Sequence, residues 1–516
     1  MKRFIISFFS ILLITLASVG GGLLLSACDN SSYSENAGRG FDNSQNENDT
    51  VVNGKATGYW TNSGNYDTSW SGAGTETSPY LISTEEELAG LSYMVNNGTN
   101  YSGNYFIQTK DLDMSAYWWD AIGYSSSRCF AGHYNGDGYI IYSLFTRVGS
   151  SSTYSYQGLF GYIKGTSSTN QLEISNIGIV NSNIQGYQYI GGIVGYSDSL
   201  STITNCYNTG SVTGTASIGG VVGYNSSSST ISNCYNTGSV TGTASIGGVV
   251  GTNYLSYTVN NCYNTGSVTG SSAIGGVVGY NYSSSTVSNC YNTGLVRGDL
   301  YFGGVVGAND LSTLTNCYYG GNCNLNYGIG SSSHSSGDNT GTTKISSLNS
   351  TSYAKSQSWY TNSSNWDTRY PWDFTYVWSF ISGQNDDYPV FKKITITYNS
   401  NFGDYETYVY NQRAGTTIIK DNVFSRENYQ LTHYNTNNNG TGASYIIGES
   451  YLIASDIEIY AIWQANTYTV SFNTNGGTGI SDKIVTFDSV YGTLESPTKE
   501  GYTFNGWYLK NEFTGT

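Results

Sequence analysis

Apolar residues between positions 188 and 330 stand singly or in pairs among Gly, Ser, Asn and Thr, and their pattern repeats every 28 residues. One phrase, apolar-Gly-Gly-apolar-Val-Gly, begins at Ile190, Ile218, Ile246, Ile274 and Phe302. A second phrase, Cys-Tyr-Asn-Thr-Gly, recurs with the same step and starts at Cys206, Cys234, Cys262 and Cys290, and a shortened form starts at Cys317. Each unit therefore contains three short β-prone pieces separated by turn residues.

A unit with so few aliphatic side chains cannot bury them by itself, whereas stacked coils place Ile on Ile and Val on Val at about 4.8 Å per coil. The pattern therefore predicts an all-β chain whose main part is a right-handed parallel β-helix with 28-residue coils. The Gly pairs and β-branched residues of every unit oppose a helical-repeat solenoid. An antiparallel sandwich is the other alternative, but it would not require a constant 28-residue register.

The repeated phrases resemble the GLUG motif of bacterial surface proteins, which is named for a Gly-rich sequence close to the Gly-Gly-Val-Val-Gly cores of this chain. The resemblance extends upstream through residues 79–91, 130–138 and 158–161, and it ends near residues 372–390. It implies a β-helical domain over residues 58–393, with the core array at 188–330. At 28 residues per coil we expect on the order of eleven coils in a rod of about 50 Å.

Both ends of such a rod need a cover, because an open coil presents unpaired backbone groups to other chains. Ser83 to Glu86 has the pattern of a capping box, and Leu88, Leu91 and Val95 recur at helical spacing, so we expect a short capping helix over residues 84–96. We expect the Trp-rich stretch from Trp359 to Trp378 to close the opposite end.

From Ile394 the pattern changes to alternating strands, and two related units begin about 73 residues apart at Thr395 and Tyr468. The second unit, with its phrase Gly-Tyr-Thr-Phe-Asn-Gly-Trp at 501–507, is similar to the Listeria–Bacteroides repeat, the internalin B-type repeat. The first unit lacks the Gly and replaces the Trp by Tyr434. The resemblance implies small β-grasp-like modules at 394–466 and 467–516, and we expect the second module to be truncated at Thr516.

The N-terminal residues predict export and lipidation. A basic start at Lys2 and Arg3 precedes an apolar run, and small residues lead to Cys28. This arrangement resembles the lipobox of bacterial lipoproteins, which implies a signal peptide at 1–27, lipid attachment at Cys28, and anchoring to a membrane. Residues 28–57 are polar and poor in apolar side chains, so we expect a disordered tether there. The predicted location is the cell envelope, with the protein exposed on the outer surface.

Charge excludes several classes of function. The net charge is −15 and charged residues make up only 11% of the chain, which leaves no electrostatic footprint for nucleic acid. General acid–base chemistry also needs clustered titratable groups, and the core array contains almost none. The nearest cluster in sequence is Asp111, Asp113 and Asp120 with Lys110 and Arg128, for which a solvated strand edge is the favoured interpretation over a Ca²⁺ site. We therefore expect no enzyme activity, no metal and no cofactor.

Two columns of side chains follow from the second phrase. The cysteines should lie inside as buried thiols, and Cys317 with Cys323 is the pair best placed for a disulfide if one forms. The asparagines that precede the cysteines, such as Asn205 and Asn233, should form amide ladders at the corners. Alternation sends the neighbouring tyrosines outward, either as a ligand-contact stripe or as rings that only stabilise the sheet. This predicted stripe comprises Tyr207, Tyr235, Tyr263, Tyr291 and Tyr318.

The sequence thus predicts a lipid-anchored display or adhesion protein that binds a host-surface protein or a glycan through its repetitive surface. The alternative from another class is a carbohydrate-active enzyme, similar to a polysaccharide lyase, with a site on the upstream coils between Asp111 and Arg128.

Overall fold

The computed structural model describes residues 58–147, 151–166, 171–226, 228–255, 258–332, 336–421 and 423–509. The predicted signal peptide, the lipid attachment site Cys28 and the tether lie outside the described residues. The chain in the described ranges forms a parallel β-solenoid, an aromatic segment packed along it, and small β-sheet modules.

Five parallel sheets, named here A to E in the order in which one coil visits them, make up the solenoid. Sheet A contains the strands Tyr80–Ile82, Tyr105–Gln108, His133–Asn135, Leu172–Ser175, Ser201–Thr204, Thr230–Ser232, Thr258–Asn260, Thr286–Ser288 and Thr313–Thr315. Sheet B contains Leu112–Asp113, Ile140–Tyr142, Gly178–Val180, Tyr207–Asn208, Tyr235–Asn236, Tyr263–Asn264, Tyr291–Asn292, Cys317–Gly320 and Thr342–Ile345.

The other three sheets are shorter. Sheet C contains Asn183–Gln185, Ser211–Thr213, Val240–Thr241, Val268–Thr269 and Val296–Arg297. Sheet D contains Gln188–Gly191, Ala216–Gly219, Ala244–Gly247, Ser272–Gly275 and Leu300–Gly303. Sheet E contains Phe160–Lys164, Val194–Asp198, Val222–Ser226, Val250–Tyr254, Val278–Tyr282, Val306–Asp310, Ile329–Ser332 and, antiparallel at its end, Ser336–Asp338.

The 28-residue register is confirmed strand by strand. Ile190 pairs with Ile218, Ile218 with Ile246, and Ile246 with Ile274, and all four side chains are fully buried. Sheets A and B each stack nine strands, fewer than the eleven coils expected. A coil also has five short strands rather than three, because pieces of two residues such as Val240–Thr241 become strands only through hydrogen bonds to the neighbouring coil.

Glycine pairs are required where the coil turns sharply between sheets D and E. A Cβ on Gly220 would lie 2.2 Å from the carbonyl oxygen of Gly248 and 2.4 Å from Cγ of Asn236. The same crowding recurs in the next coil, where a Cβ on Gly248 would meet the oxygen of Gly276 at 2.1 Å. The Gly-Gly phrase therefore reflects close approach of backbone and asparagine side chains between coils.

Asparagines form ladders both at the corners and inside the solenoid. At the corner, Asn205 Nδ2 donates to Asn176 Oδ1 at 3.1 Å, which confirms the predicted amide contact. Two further ladders lie in the interior, with successive Nδ2 to Oδ1 distances of 2.8 to 3.0 Å. Buried amides are tolerated because each one finds a partner in the next coil. These inner ladders comprise Asn208, Asn236, Asn264 and Asn292, and Asn225, Asn253, Asn281 and Asn309.

The predicted N-terminal helix is α1, Glu85–Asn96. Its capping box joins Thr84 to Glu87, one residue later than the sequence analysis placed it. Leu88, Leu91 and Val95 are fully buried in the solenoid core, and Ser92 Oγ donates to the carbonyl oxygen of Asp120 at 2.6 Å. The helix therefore packs on the first coils. A short second helix, α2, spans Gln357–Thr361, and 3₁₀ turns span Ser152–Tyr154 and Asn385–Asp387.

The first C-terminal module is a five-stranded sheet with its own core. Its central strand pair, Lys393–Asn399 with Ile457–Ala465, is parallel, and antiparallel strands flank the pair. This sheet is completed by Thr407–Arg413, Tyr429–Asn435 and Ser444–Tyr445, and a separate strand pair of the same module joins Gly415–Ile418 to Ser450–Ile453. The second module contains the hairpin Thr467–Val470 with Lys483–Thr486. Before the first module, Trp378–Ser379 pairs with Val390–Phe391. Within the described residues, no helix is long and apolar enough to cross a lipid bilayer.

The first module packs against an early coil of the solenoid through a buried polar contact. Tyr410 donates its hydroxyl to Asp137, the Arg413 guanidinium lies 4.0 Å from the ring centroid of Phe391, and Lys420 Nζ lies 3.8 Å from that of Tyr410. Burial raises the pKa of Asp137 to about 6, although the hydrogen bond from Tyr410 and the charges of Lys420 and Arg413 lower it. This contact is therefore sensitive to pH.

Candidate ligand-binding surface

The predicted tyrosine stripe forms a continuous column on sheet B. Tyr207, Tyr235, Tyr263, Tyr291 and Tyr318 pair in register from coil to coil. The first four rings stack with centroids 4.9 to 5.0 Å apart and planes within 9° of parallel. The column points away from the solenoid core, as alternation predicts.

A segment that we name the aromatic strap, residues 348–391, covers this column. Trp359 and Trp366 contact Tyr318, Trp378 contacts Tyr263 and Tyr235, and Phe391 reaches Tyr207. The prediction that the Trp-rich stretch closes the end of the rod is therefore wrong. The strap runs back along the side of the solenoid, where its aromatic rings pack on the rings of the tyrosine column.

Covering makes the column part of a second hydrophobic core. Tyr263 and Tyr291 are fully buried, and Tyr263 donates its hydroxyl to the carbonyl oxygen of Pro389 at 2.5 Å. The Tyr360 hydroxyl donates to that of Tyr291 at 2.8 Å. Burial raises the pKa of both column tyrosines well above the usual value. Burial leaves Tyr235, Tyr263 and Tyr291 no surface for a ligand, and these three rings pack against the strap, whereas Tyr207 and Tyr318 at the ends of the column are half-buried.

The cysteine column lies on the inner side of the same strands. Cys206, Cys234, Cys262, Cys290 and Cys317 are fully buried free thiols, as predicted. Each Sγ donates to the carbonyl oxygen two residues before it, as from Cys234 to Ser232 at 3.2 Å. Burial raises the pKa of the first four thiols well above the usual value. Cys323 is also a buried free thiol, so it forms no disulfide with Cys317.

The acidic residues of the alternative enzyme site have local structural partners. Asp111 Oδ1 accepts a hydrogen bond from the Ile140 backbone at 2.8 Å, and Asp113 Oδ1 accepts one from the Ser115 backbone at 3.1 Å. Thr61 donates its hydroxyl to Asp120. In the described part of the chain, no three His, Cys, Asp or Glu side chains are grouped in a way that could hold a metal ion.

A second set of tyrosines, on the outer face of sheet E and the adjoining corner, lies on a face other than the one under the strap. Tyr162, Tyr196 and Tyr224 stack at 4.8 Å with planes within 13° of parallel. Tyr189 stands beside this stack, perpendicular to Tyr196 and Tyr224 at 5.3 and 5.4 Å. The contacts continue diagonally over five coils. This diagonal tyrosine band comprises Tyr156, Tyr162, Tyr189, Tyr196, Tyr224, Tyr254, Tyr280 and Tyr282.

The geometry of the band decides what it can present to a ligand. Seven of its side chains are half-buried and Tyr162 is 7% exposed. Because the stacked rings lie face to face along the rod axis, they present ring edges and phenol hydroxyls rather than ring faces. Burial, followed by the charge of Asp310, raises the pKa of Tyr280 to about 12, so its hydroxyl is a neutral donor at physiological pH. The band is thus a rigid amphipathic surface.

Lys164 and Asp198 form an ion pair beside Tyr162 at one end of the band, and Asp310 lies near Tyr280 at the other end. Tyr162 donates its hydroxyl to Asp198 Oδ2 at 3.1 Å, and Lys164 Nζ lies 3.1 Å from the same oxygen. Burial, and then Asp198, raises the pKa of Tyr162. The end of the band around Tyr162 therefore suits contacts made by aromatic edges and hydroxyls more than charge attraction.

Sequence reasoning missed the band although a signal was present. Tyr196, Tyr224 and Tyr280 each follow the Gly-Gly-apolar-Val-Gly phrase, and Thr252 and Ala308 occupy the same place in the other two coils. The residue after the phrase is Tyr in only three of the five coils, so it stands out less than the invariant phrase itself. The strict Cys-Tyr repeat instead predicts an outward tyrosine column, which is the one that the strap covers.

Fold and surface together define a repeat protein built as a parallel β-solenoid with an aromatic column under the strap and a half-buried tyrosine band on another face. Comparison with protein-family models agrees with both predicted resemblances. The GLUG motif matches residues 186–213, 214–241 and 270–296, and the Listeria-Bacteroides repeat domain matches residues 395–462 and 468–516. The first C-terminal unit therefore belongs with the second despite its departures.

Relatives resemble the chain over short stretches. A "Putative Gly-rich membrane protein" of Evansella cellulosilytica is 35% identical over 97 residues, 18% of this chain and 10% of that protein. Internalin H of Listeria monocytogenes is 33% identical over 95 residues, 18% of this chain and 17% of that protein. The chain thus spans less than a fifth of either relative.

Among solved structures, a "putative immunoglobulin A1 protease" from Bacteroides ovatus is similar at a TM-score of 0.47 and 22% identity. The similarity covers 62% of this chain and 94% of that one.

Proposed function

We propose that this chain is a non-catalytic display or adhesion protein of the bacterial surface, which binds a host-surface protein or a glycan through the diagonal tyrosine band. The observation that carries this proposal is the continuity of eight contacting tyrosines over five coils, seven of which are half-buried on a face away from the strap. Tyrosines are frequent in recognition surfaces because they offer large, rigid and amphipathic contact area with little entropy to lose. Repetition over successive coils suits an extended ligand.

The proposed location is the cell envelope, with anchoring to a membrane through a lipid on Cys28. The names of the relatives, a membrane protein and an internalin, favour this location. Exchange of Cys28 for Ala should release the protein from the membrane fraction into the medium of the producing bacterium. Unchanged fractionation of Cys28→Ala would contradict the lipid anchor while leaving the binding proposal intact.

Absence of catalysis is proposed because the acidic side chains of the upstream coils are used in local hydrogen bonds. Incubation with polysaccharides should therefore release no shortened products, as measured by chromatography of the reaction mixture. Product release that is lost in Asp113→Asn would instead favour a carbohydrate-active enzyme.

The binding test uses substitutions that the repeat itself supplies. Thr252 occupies the tyrosine position in the third coil, so a Tyr196→Thr and Tyr224→Thr double variant should keep the fold. Tyr301→Ser serves as the matched control. Tyr301 is exposed at a corner of the solenoid, and Ser217 and Ser245 occupy the equivalent position in other coils. Binding is measured on a glycan array and on epithelial cell monolayers.

We expect the double variant to lose at least about tenfold in apparent affinity, because tyrosine is enriched among the few interface residues whose truncation costs about 2 kcal/mol or more. Tyr301→Ser should bind like the unaltered protein. Equal binding by the double variant and the control would contradict the role of the band, as would the absence of binding by the unaltered protein on both surfaces.

A further inference from the structure

A polar cleft of about 530 Å³ lies between the solenoid and the aromatic strap. One wall carries threonines from three successive coils, Thr237, Thr265 and Thr293. The facing wall comes from the strap and includes Lys355 and Asp386. The remaining lining residues are polar or glycine, apart from one aromatic ring, and they comprise Asn322, Asn349, Gly383, Asn385 and Tyr388.

The threonine wall is a regular row of hydroxyl groups. The three threonines follow the paired strands of sheet B, so their spacing is that of the coils, about 4.8 Å. Thr293 is buried and accepts a hydrogen bond from the Tyr388 hydroxyl at 3.0 Å. Thr237 and Thr265 are half-buried on the cleft. In the described ranges, no side chain is hydrogen-bonded to either hydroxyl.

The strap wall offers one cation and one anion. Lys355 is half-buried, with Nζ 4.9 Å from the ring centroid of Tyr388, and Asp386 is exposed. Neither charge has an ion-pair partner among the residues that the structure describes. The cleft can therefore donate and accept hydrogen bonds strongly without favouring a ligand of either net charge.

The loop that carries Asp386 is held in place by the covered tyrosine column. Asn385 Nδ2 donates to the Tyr263 hydroxyl at 2.6 Å, and the Gly383 backbone donates to Asp387 Oδ1 at 2.8 Å. Three consecutive residues, Asn385, Asp386 and Asp387, have φ between 49° and 62°. The cleft is thus formed before any ligand arrives, which lowers the entropic cost of binding.

From these observations we infer that the cleft binds one or two sugar residues of a neutral saccharide. Alternate equatorial hydroxyls of a pyranose ring are separated by nearly the coil spacing of about 4.8 Å, so they can contact successive threonines. The carboxylate of Asp386, the ammonium group of Lys355 and the asparagine amides can form hydrogen bonds with the other hydroxyls of the sugar. The volume of the cleft lies within the range of small-ligand sites. An apolar ligand would leave these polar groups unpaired, and a polyanion would meet Asp386.

The test measures binding of cellotriose, maltotriose, xylotriose and chitotriose to the full chain by saturation-transfer NMR. We expect at least one trisaccharide to bind at millimolar concentration. Thr265→Val, which keeps the shape but removes the hydroxyl, and Asp386→Asn should each weaken that binding by about tenfold. The control Thr269→Val alters an exposed threonine of the same coil on sheet C and should leave binding unchanged.

The inference is overturned if none of the four trisaccharides binds, or if Thr265→Val and Asp386→Asn bind as tightly as the control. Near-UV circular dichroism verifies that the variants keep the packed strap. The cleft is independent of the tyrosine band, so the Tyr196→Thr and Tyr224→Thr double variant should retain saccharide binding at the cleft.

Discussion

Removal of one strap ring tests whether the covered tyrosine column holds the strap. Trp378 is fully buried, with ring centroids of Phe391 at 4.7 Å, Trp372 at 5.1 Å and Tyr263 at 5.9 Å. A buried Trp removes about 200 Å² from water, which at about 25 cal/mol per Å² corresponds to about 5 kcal/mol. Since measured losses for such truncations are about 3–5 kcal/mol, we expect Trp378→Ala to destabilise strap packing by about 4 kcal/mol.

The conservative variant should behave differently for a specific reason. The Trp378 indole N–H is buried and finds no acceptor among the described residues. Such a group costs about 1–3 kcal/mol, and Trp378→Phe removes it. The relief offsets the area lost with the smaller ring, so we expect Trp378→Phe to lie within about 1 kcal/mol of the unaltered protein.

The assay combines urea unfolding, followed by near-UV circular dichroism, with limited proteolysis at the strap. In Trp378→Ala the strap should unfold at a lower urea concentration and be cleaved by protease within residues 348–391. Trp507→Ala, which alters the C-terminal module, should leave the strap as resistant to urea and protease as in the unaltered protein. The reasoning is refuted if Trp378→Ala resists urea and protease like the unaltered protein. Equal damage by Trp378→Phe and Trp378→Ala would refute the interpretation of the indole N–H.

Three further outcomes follow from the interior and from the module contact. Gly220→Ala should prevent cooperative folding or lower the free energy of unfolding by more than about 3 kcal/mol, because its Cβ would meet the Gly248 oxygen at 2.2 Å. An unchanged midpoint of urea unfolding would contradict the close approach. Cys234 and its stacked neighbours should react with a thiol reagent only as fast as the protein unfolds, because burial raises their pKa; rapid labelling of the native protein would refute this. Since burial raises the pKa of Asp137 to about 6, protonation favours the packed module, so packing should strengthen by about 1.3 kcal/mol from pH 7 to pH 5. Asp137→Asn should abolish that dependence, measured as module stability against pH, and a persistent slope would assign it to another group.

The sequence by itself determined the repeating part of the fold. A 28-residue step places equivalent side chains on successive coils, and alternation within each short strand decides which of them face inward. The buried column from Cys206 to Cys317 and the outward direction of Tyr207 follow from these two rules alone. The rules are local to neighbouring coils, so they need no knowledge of the rest of the chain.

Only the tertiary structure decided which outward column the strap covers. The strap residues do not follow the 28-residue step, and their contacts join distant parts of the chain, such as Tyr263 with Pro389 at a separation of 126 residues. The indole and phenyl rings of the strap pack on the tyrosine column, which buries Tyr235, Tyr263 and Tyr291. The cleft beside Asp386 depends on that packing, so residue pattern alone could not place it, whereas the register of Tyr196 and Tyr224 follows from the 28-residue step.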